Sequence, residues 1–180
     1  MTVIFRGKPA CRCLAKWLPV YERELQETGN LVGELKIYQL NGDAEASGGT
    51  HTGGAYDVTD PTAGQSNQSD VMIGRQMGAA EWARTAAQGF TPHRHGILRN
   101  CPHNTGGRYQ IDLLDRGYNG LVGNAPDDGP KVHVKRTWQQ GIAWAKARQK
   151  MRRRRARIKM LRAQRAKITA TIQRLLGLKE

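Results

Sequence analysis

The run SGGTHTGGAYDV at residues 47–58 constrains the fold of this chain more than any other stretch. Glycines lie on both sides of His51, where they let the backbone turn sharply and approach a ligand closely. Tyr56, Asp57 and Val58 then follow as a short strand, in which Asp57 points to the face opposite its neighbours. We therefore predict a loop that begins at His51 and returns at Asp57, bringing an imidazole and a carboxylate to one point.

A second pair of histidines lies downstream in the run FTPHRHGIL at residues 90–98. Residues two apart on a strand share a face, so His93 and His95 are expected to face one pocket. Zinc takes imidazole nitrogen and carboxylate oxygen ligands at about 2.0–2.2 Å, and a catalytic zinc is held by three protein ligands. The pattern therefore predicts a zinc site at His51, Asp57 and one of the two later histidines.

These two motifs together resemble a family of zinc metallopeptidases. The pattern S-x-x-T-H-x-G-G-x-x-D at residues 47–57, followed by His93-x-His95, is similar to that of D-Ala-D-Ala carboxypeptidases and related cell-wall endopeptidases, which have a hedgehog-type fold. The phage and actinobacterial branch is the most similar. Weaker matches lie at residues 37–39, at Trp82-x-Arg84 and at residues 116–121, so the resemblance covers residues 1–143.

The resemblance implies a Zn²⁺ site formed by His51, Asp57 and His95, with His93 as the catalytic base. It also implies a substrate, a peptide bond in the stem peptides of peptidoglycan. Arg84 and Ser47 are candidate substrate-binding residues. A surface position for Arg84 and a role of Ser47 in bracing the loop are the alternatives.

Two departures from the family pattern leave a second hypothesis open. His51 and Asp57 are six residues apart, one fewer than in most relatives, and the glutamate base of the carboxypeptidase branch is missing. The nearest glutamate, Glu81, lies twelve residues before His93. The alternative is a phage structural or assembly protein that retains the fold with little activity.

The sequence favours an α+β fold, a small antiparallel sheet with helices packed on it. Apolar residues at three- and four-residue steps predict helices over residues 13–27 and 71–88, the second with Asp70 as its N-cap. Alternating residues predict strands over 34–40 and 93–98. Residues 109–114 are compatible with a helix or a strand.

A long basic helix is predicted after the peptidase-like domain. The domains are expected to be residues 1–135 and 136–180, because the chain from Thr137 onward contains no proline. The net charge of +14 comes mainly from this end: residues 146–180 hold 14 Lys/Arg and one acid, against 15 and 14 in residues 1–145. Apolar residues seven apart predict a short coiled-coil seam within 158–178 and hence self-association.

The basic tail, residues 146–180, predicts binding to polyanions. For a cell-wall enzyme these are anionic wall polymers or a membrane surface. Nucleic acid is the other candidate, and it gives a third hypothesis, a nucleic-acid-binding protein. No aromatic residue interleaves the basic run, so base stacking is not indicated.

The cysteines and the N-terminus bear on the compartment. Cys11, Cys13 and Cys101 form no even disulfide framework, which favours reduced, partly buried thiols. Cys11-x-Cys13 as a metal site with a histidine is the weaker alternative, since such a pair alone is a poor zinc signature. The sequence shows no secretion-signal pattern and no apolar membrane span. We expect synthesis in the cytoplasm and action on the wall after release or within a virion.

Overall fold

The computed structural model describes residues 2–42, 49–59 and 68–177. Within these residues the chain forms six short strands and four helices. The strands are β1 (Thr2–Phe5), β2 (Lys8–Cys11), β3 (Lys36–Gln39), β4 (Ala55–Thr59), β5 (Ala79–Arg84) and β6 (His93–Leu98). The helices are α1 (Arg12–Glu27), α2 (Gln68–Gln76), α3 (Arg108–Asp115) and α4 (Trp138–Leu175), and a 3₁₀ turn lies at Ala86–Gln88. The predicted α+β class is confirmed.

The main sheet is antiparallel, with the strand order β3–β4–β6–β5, and β1 and β2 form a separate hairpin. The strand register of the main sheet places Asp57 of β4 opposite His95 of β6, and His95 opposite Trp82 of β5. In the next row His93 lies opposite Arg84. Because opposed residues share a face, one side of the sheet carries the predicted site.

Helix α1 packs on the other face of the sheet through the predicted apolar stripe. Trp17, Tyr21 and Leu25 are fully buried, and the Trp17 indole N–H donates to the carbonyl of Met77 at 2.8 Å. Pro19 lies on the exposed side, and the helix continues through it. This burial of large apolar side chains anchors the helix, since each contributes about 1.5–3 kcal/mol.

The prediction of one helix over residues 71–88 is wrong. Helix α2 ends at Gln76, and residues 79–84 instead form β5, which pairs with β6 along its whole length. The chain reverses at Gly78, whose φ of +88° suits glycine, and a Cβ there would press on the backbone of Thr137. Asp70 is the third residue of α2 rather than its N-cap.

A buried polar network fills the core face of the sheet. The hydroxyls of Tyr21 and Tyr56 both donate to the carboxyl group of Glu81, and Arg94 pairs with Asp70. Gly96 lies between Tyr56 and Glu81 in the register, and a Cβ there would collide with the Tyr56 ring. This face of the sheet is therefore occupied by core side chains.

The chain divides into two units, Met1–Ala145 and Lys146–Glu180. The first turns of α4 belong to the first unit, where Gly141 lies so close to the Met77 carbonyl that a Cβ would not fit. In the second unit the predicted long helix is confirmed as far as Leu175, and its apolar residues, Ile158, Leu161, Ile168 and Ile172 among them, are exposed. No described helix has the length and apolar character needed to cross a membrane.

Candidate metal centre

The three predicted ligands come together on the face of the sheet opposite α1. His95 projects from the inner strand β6 and Asp57 from its neighbour β4, whereas His51 lies in the glycine-rich loop before β4. The His95 Nδ1 lies 2.8 Å from Asp57 Oδ1, and the His51 Nε2 lies 3.3 Å from Asp57 Oδ2. Three potential ligand atoms thus lie within 4.8 Å of one another, and they can hold a metal ion.

The outer nitrogens of both histidines face oxygen acceptors. His51 Nδ1 lies 2.6 Å from the carbonyl oxygen of Leu40, so this nitrogen carries the proton. His95 Nε2 lies 3.0 Å from Gln110 Oε1, and the Gln110 amide is oriented by donating its own N–H to the Gly120 carbonyl. Such outer acceptors are typical of metal-binding histidines, because they fix the tautomer and the ring orientation.

This arrangement leaves an electrostatic conflict that a cation resolves. The inner nitrogens of His51 and His95 carry lone pairs, and both face the carboxylate of Asp57. Lone pairs and an anion at these distances repel one another unless a proton or a metal ion lies among them. Nitrogen and carboxylate donors of this kind suit zinc.

The ionisation states of Asp57 and His95 suit metal binding. Burial opposes ionisation of Asp57, but the adjacent His51 and His95 side chains outweigh it and hold its pKa far below the usual range. Burial lowers the pKa of His95, and the nearby Arg84 and His51 act in the same direction. At neutral pH the site therefore offers a carboxylate and a neutral imidazole, the forms that bind metal.

His93 stands beside the ligand cluster with its ring fixed. Its Nδ1 lies 2.6 Å from the Thr91 carbonyl oxygen and carries the proton, and its Nε2 lies 3.6 Å from Asp57 Oδ1. The rings of Tyr38 and Phe90 pack edge-on against it, with centroids at 6.2 and 5.9 Å. With Nδ1 bound to the Thr91 carbonyl, Nε2 is the nitrogen that faces the site, as a proton acceptor requires.

Arg84 is buried at the edge of the same site, two residues from Trp82 on β5. Its guanidinium stacks on the Trp82 ring at 5.2 Å, and Nη1 donates to the Asn119 carbonyl at 2.8 Å. Burial lowers its pKa to about 10, so the group stays charged at neutral pH. The side chain is only 2% exposed, which excludes the surface position considered for it.

These side chains line a cleft of about 140 Å³. Its walls are formed by His51, Asp57, Arg84, His93 and His95, together with Gln39, Thr50, Phe90, Gln110 and Leu121. A larger cavity, of about 330 Å³, lies beside Arg99 and Asp115, but its two carboxylates are held in ion pairs with basic side chains. The smaller cleft is thus the better candidate site.

Several contributors to the site were not predicted from the sequence. Gln110 lies on α3 with no motif around it. The carbonyl groups of Leu40 and Thr91 belong to the backbone, so the spacing of side chains cannot predict their role. Glu81 lies on the opposite face of the sheet, bound to the two tyrosines, so it is not a base for this cleft. Ser47, a predicted substrate-binding residue, lies outside the described residues.

Comparison with protein-family models, with curated proteins and with solved structures finds no match to this chain.

Proposed function

We propose that the protein is a zinc-dependent peptidase of the hedgehog-type, D-Ala-D-Ala carboxypeptidase-like class that hydrolyses a peptide bond in peptidoglycan stem peptides. The observation that carries the proposal is the convergence of His51, Asp57 and His95 on one point. The outer nitrogens of the two histidines are already hydrogen-bonded. His93 lies beside that point with its Nε2 turned inward.

His51, Asp57 and His95 would hold the zinc ion, which would lower the pKa of a bound water to about 7 and polarise the scissile carbonyl group. His93 Nε2 then accepts a proton from the attacking water, since the Thr91 carbonyl keeps the proton of this imidazole on Nδ1. After bond cleavage the same nitrogen returns the proton to the leaving amine. This assigns to one imidazole the tasks of base and acid.

Arg84 supports recognition of an anionic group on the substrate. Its guanidinium is charged, lines the cleft and is held by the Trp82 ring and the Asn119 carbonyl. A planar fork of this kind pairs well with a carboxylate. We assign to Arg84 the binding of a carboxylate of the stem peptide, such as its free C-terminus. The choice of peptidoglycan as the substrate comes from the motif resemblance, and the implied setting is a phage lytic or virion-associated enzyme.

The second unit supports attachment to an anionic polymer. Residues 146–167 carry twelve Lys/Arg and no acid, and most of these side chains are exposed on α4. An anionic wall polymer or a membrane surface would concentrate the enzyme at its substrate through this charge. Nucleic acid offers the same attraction, so binding of DNA is the second candidate activity of this unit.

Zinc content and digestion of purified peptidoglycan test the proposal, with mass analysis of the fragments. His51→Ala should lose zinc from this site together with activity. His93→Ala should retain the zinc and lose activity by about 10²–10⁴-fold, the usual contribution of general acid–base catalysis. His133→Ala, at an exposed histidine outside the cleft, is the matched control.

Two results would contradict the proposal, one in the role of His93 and the other in the enzymatic activity itself. Equal digestion by wild type and His93→Ala would remove His93 from the mechanism. A wild-type protein that binds zinc at His51 and releases no fragment would instead be a structural protein that retains the fold.

A further inference from the structure

A second cluster of metal-binding side chains lies outside the cleft. Cys11 ends β2, Cys13 lies in the first turn of α1, and Cys101 and His103 lie in the turn after β6. All three thiols are free and buried, and His103 is partly buried. Two short pairs, Cys11-x-Cys13 and Cys101-x-His103, are therefore brought together from distant parts of the sequence.

Three distances within this cluster match the edges of a zinc tetrahedron. Zinc–sulfur bonds of about 2.3 Å and zinc–nitrogen bonds of about 2.0–2.1 Å give edges of roughly 3.8 Å between sulfurs and roughly 3.6 Å between sulfur and nitrogen. Cys11 Sγ lies 3.7 Å from Cys101 Sγ, and His103 Nδ1 lies 3.5 Å from Cys13 Sγ and 3.8 Å from Cys101 Sγ. All four ligand atoms lie within 4.8 Å of one another.

The surroundings of Cys11 favour a thiolate ligand. The backbone N–H groups of Gly54 and Leu14 point to its sulfur, at 3.2 and 3.5 Å. Cys11 is also the N-cap of α1, where the positive end of the helix dipole stabilises an anion. Packing of three small apolar side chains would account for neither the donors to Cys11 nor the imidazole of His103.

We propose that Cys11, Cys13, Cys101 and His103 bind a structural zinc ion through three Sγ atoms and the His103 Nδ1. Three thiolates and one imidazole complete a tetrahedral shell, so this site has no open position and serves the fold rather than the reaction. Thiolate ligands also select zinc over the harder divalent cations.

The proposed site holds the loop that carries His51. Gly53, with φ of +143°, leaves no room for a Cβ against His103, and a Cβ on Gly54 would lie 2.8 Å from that of Cys101. The Thr52 hydroxyl accepts the N–H group of Gly106 at 2.7 Å. Residues 52–54 thus rest directly on the turn that supplies two of the four ligands.

Metal analysis of the reduced full-length protein tests this site separately from the cleft. Wild type should hold about two zinc ions per chain, and His51→Ala about one, because structural zinc binding depends on its own ligand set. In His51→Ala the three thiols should resist alkylation until the zinc is removed by a chelator. Cys101→Ser should lose the second zinc, whereas His133→Ala should keep both.

The thiol measurement remains decisive if Cys101→Ser fails to fold. Cobalt added to metal-free His51→Ala should give a sulfur-to-metal charge-transfer band in the near ultraviolet. Thiols that alkylate equally fast with and without zinc, or an intact mass lowered by two hydrogens through a disulfide, would overturn the proposal. A lack of zinc at His51 would leave it intact.

Discussion

Gln110 Oε1 lies 3.0 Å from His95 Nε2, and this contact determines which nitrogen of His95 faces Asp57. The other end of the same amide donates to the Gly120 carbonyl, so the Gln110 side chain cannot rotate without losing a hydrogen bond. An amide on α3 thus orients an imidazole on β6. The three candidate ligands are thus supported by a fourth residue, which lies outside the ligand set.

Gln110→Ala should weaken zinc binding in the cleft by about 10–100-fold, the usual effect of losing an outer partner of a metal-binding histidine. Competition with a chromogenic chelator measures the affinity, and circular dichroism shows that the fold is retained. Gln164→Ala, at an exposed position of α4, is the matched control and should bind as wild type does. An unchanged affinity in Gln110→Ala would contradict the assigned role.

Arg84→Lys should raise KM more than it lowers kcat for a peptide with a free C-terminal carboxylate. Lysine keeps the charge but loses the planar stack on Trp82 and the fork that pairs with a carboxylate. We expect a loss of about 10–100-fold, the range of one hydrogen bond to a charged group. Steady-state kinetics with the amidated peptide gives the comparison, and an equal loss for both peptides would show that Arg84 only supports the fold.

The stability of wild type should fall as the pH rises from about 5 to about 8, and Glu81→Gln should remove much of this slope. Burial raises the pKa of Glu81 to about 8, although its hydrogen bonds to Tyr56 and Tyr21 act against this. The folded chain therefore holds a proton that the unfolded chain releases near its usual pKa, which is about 4.3. The stabilisation is complete below that value and is lost as the pH passes through the folded pKa.

Urea unfolding of the metal-free protein at several pH values measures this slope. Gln replaces the carboxyl group with a neutral group of similar shape. Glu34→Gln, at an exposed glutamate, serves as the control and should leave the slope unchanged. A Glu81→Gln slope equal to that of wild type would show that Glu81 is ionised in the folded state.

Replacing Arg154, Arg155 and Arg157 with Gln should weaken binding to DNA and to anionic wall polymer while leaving cleavage of a small peptide unchanged. These arginines are exposed in the second unit. For DNA, each phosphate contact that is lost lowers the salt dependence of the affinity by about one unit of slope. Titrations at several salt concentrations measure this, and unchanged slopes would remove these residues from the polyanion surface.

The sequence predicted those features that local spacing encodes. The two-residue step between His93 and His95 predicted a shared face, and both side chains line the cleft. The apolar stripe also predicted helix α1, because its period is that of a helix. The glycines around His51 and the strand at Asp57 predicted that these two side chains meet, and they do.

The features missed depend on contacts between distant parts of the chain. Residues 79–84 match a helical pattern because both faces of β5 are buried, and only pairing with β6 shows that they are a strand. Gln110 reaches His95 through the placement of α3. Cys101-x-His103 lies 90 residues from Cys11, so nothing in the local spacing of either pair identifies its partner.

The two faces of β6 have different functions, and this limits the insertions and deletions that the strand can tolerate. His93 and His95 face the cleft, whereas Arg94 and Gly96 face the packed core. Inserting or deleting one codon within this strand would turn an arginine toward the cleft and bury the imidazoles, since register has a period of two. The loop between His51 and Asp57 has no such parity, but residues 52–54 rest on the turn that contains Cys101 and His103, so a change in its length would disturb that turn instead.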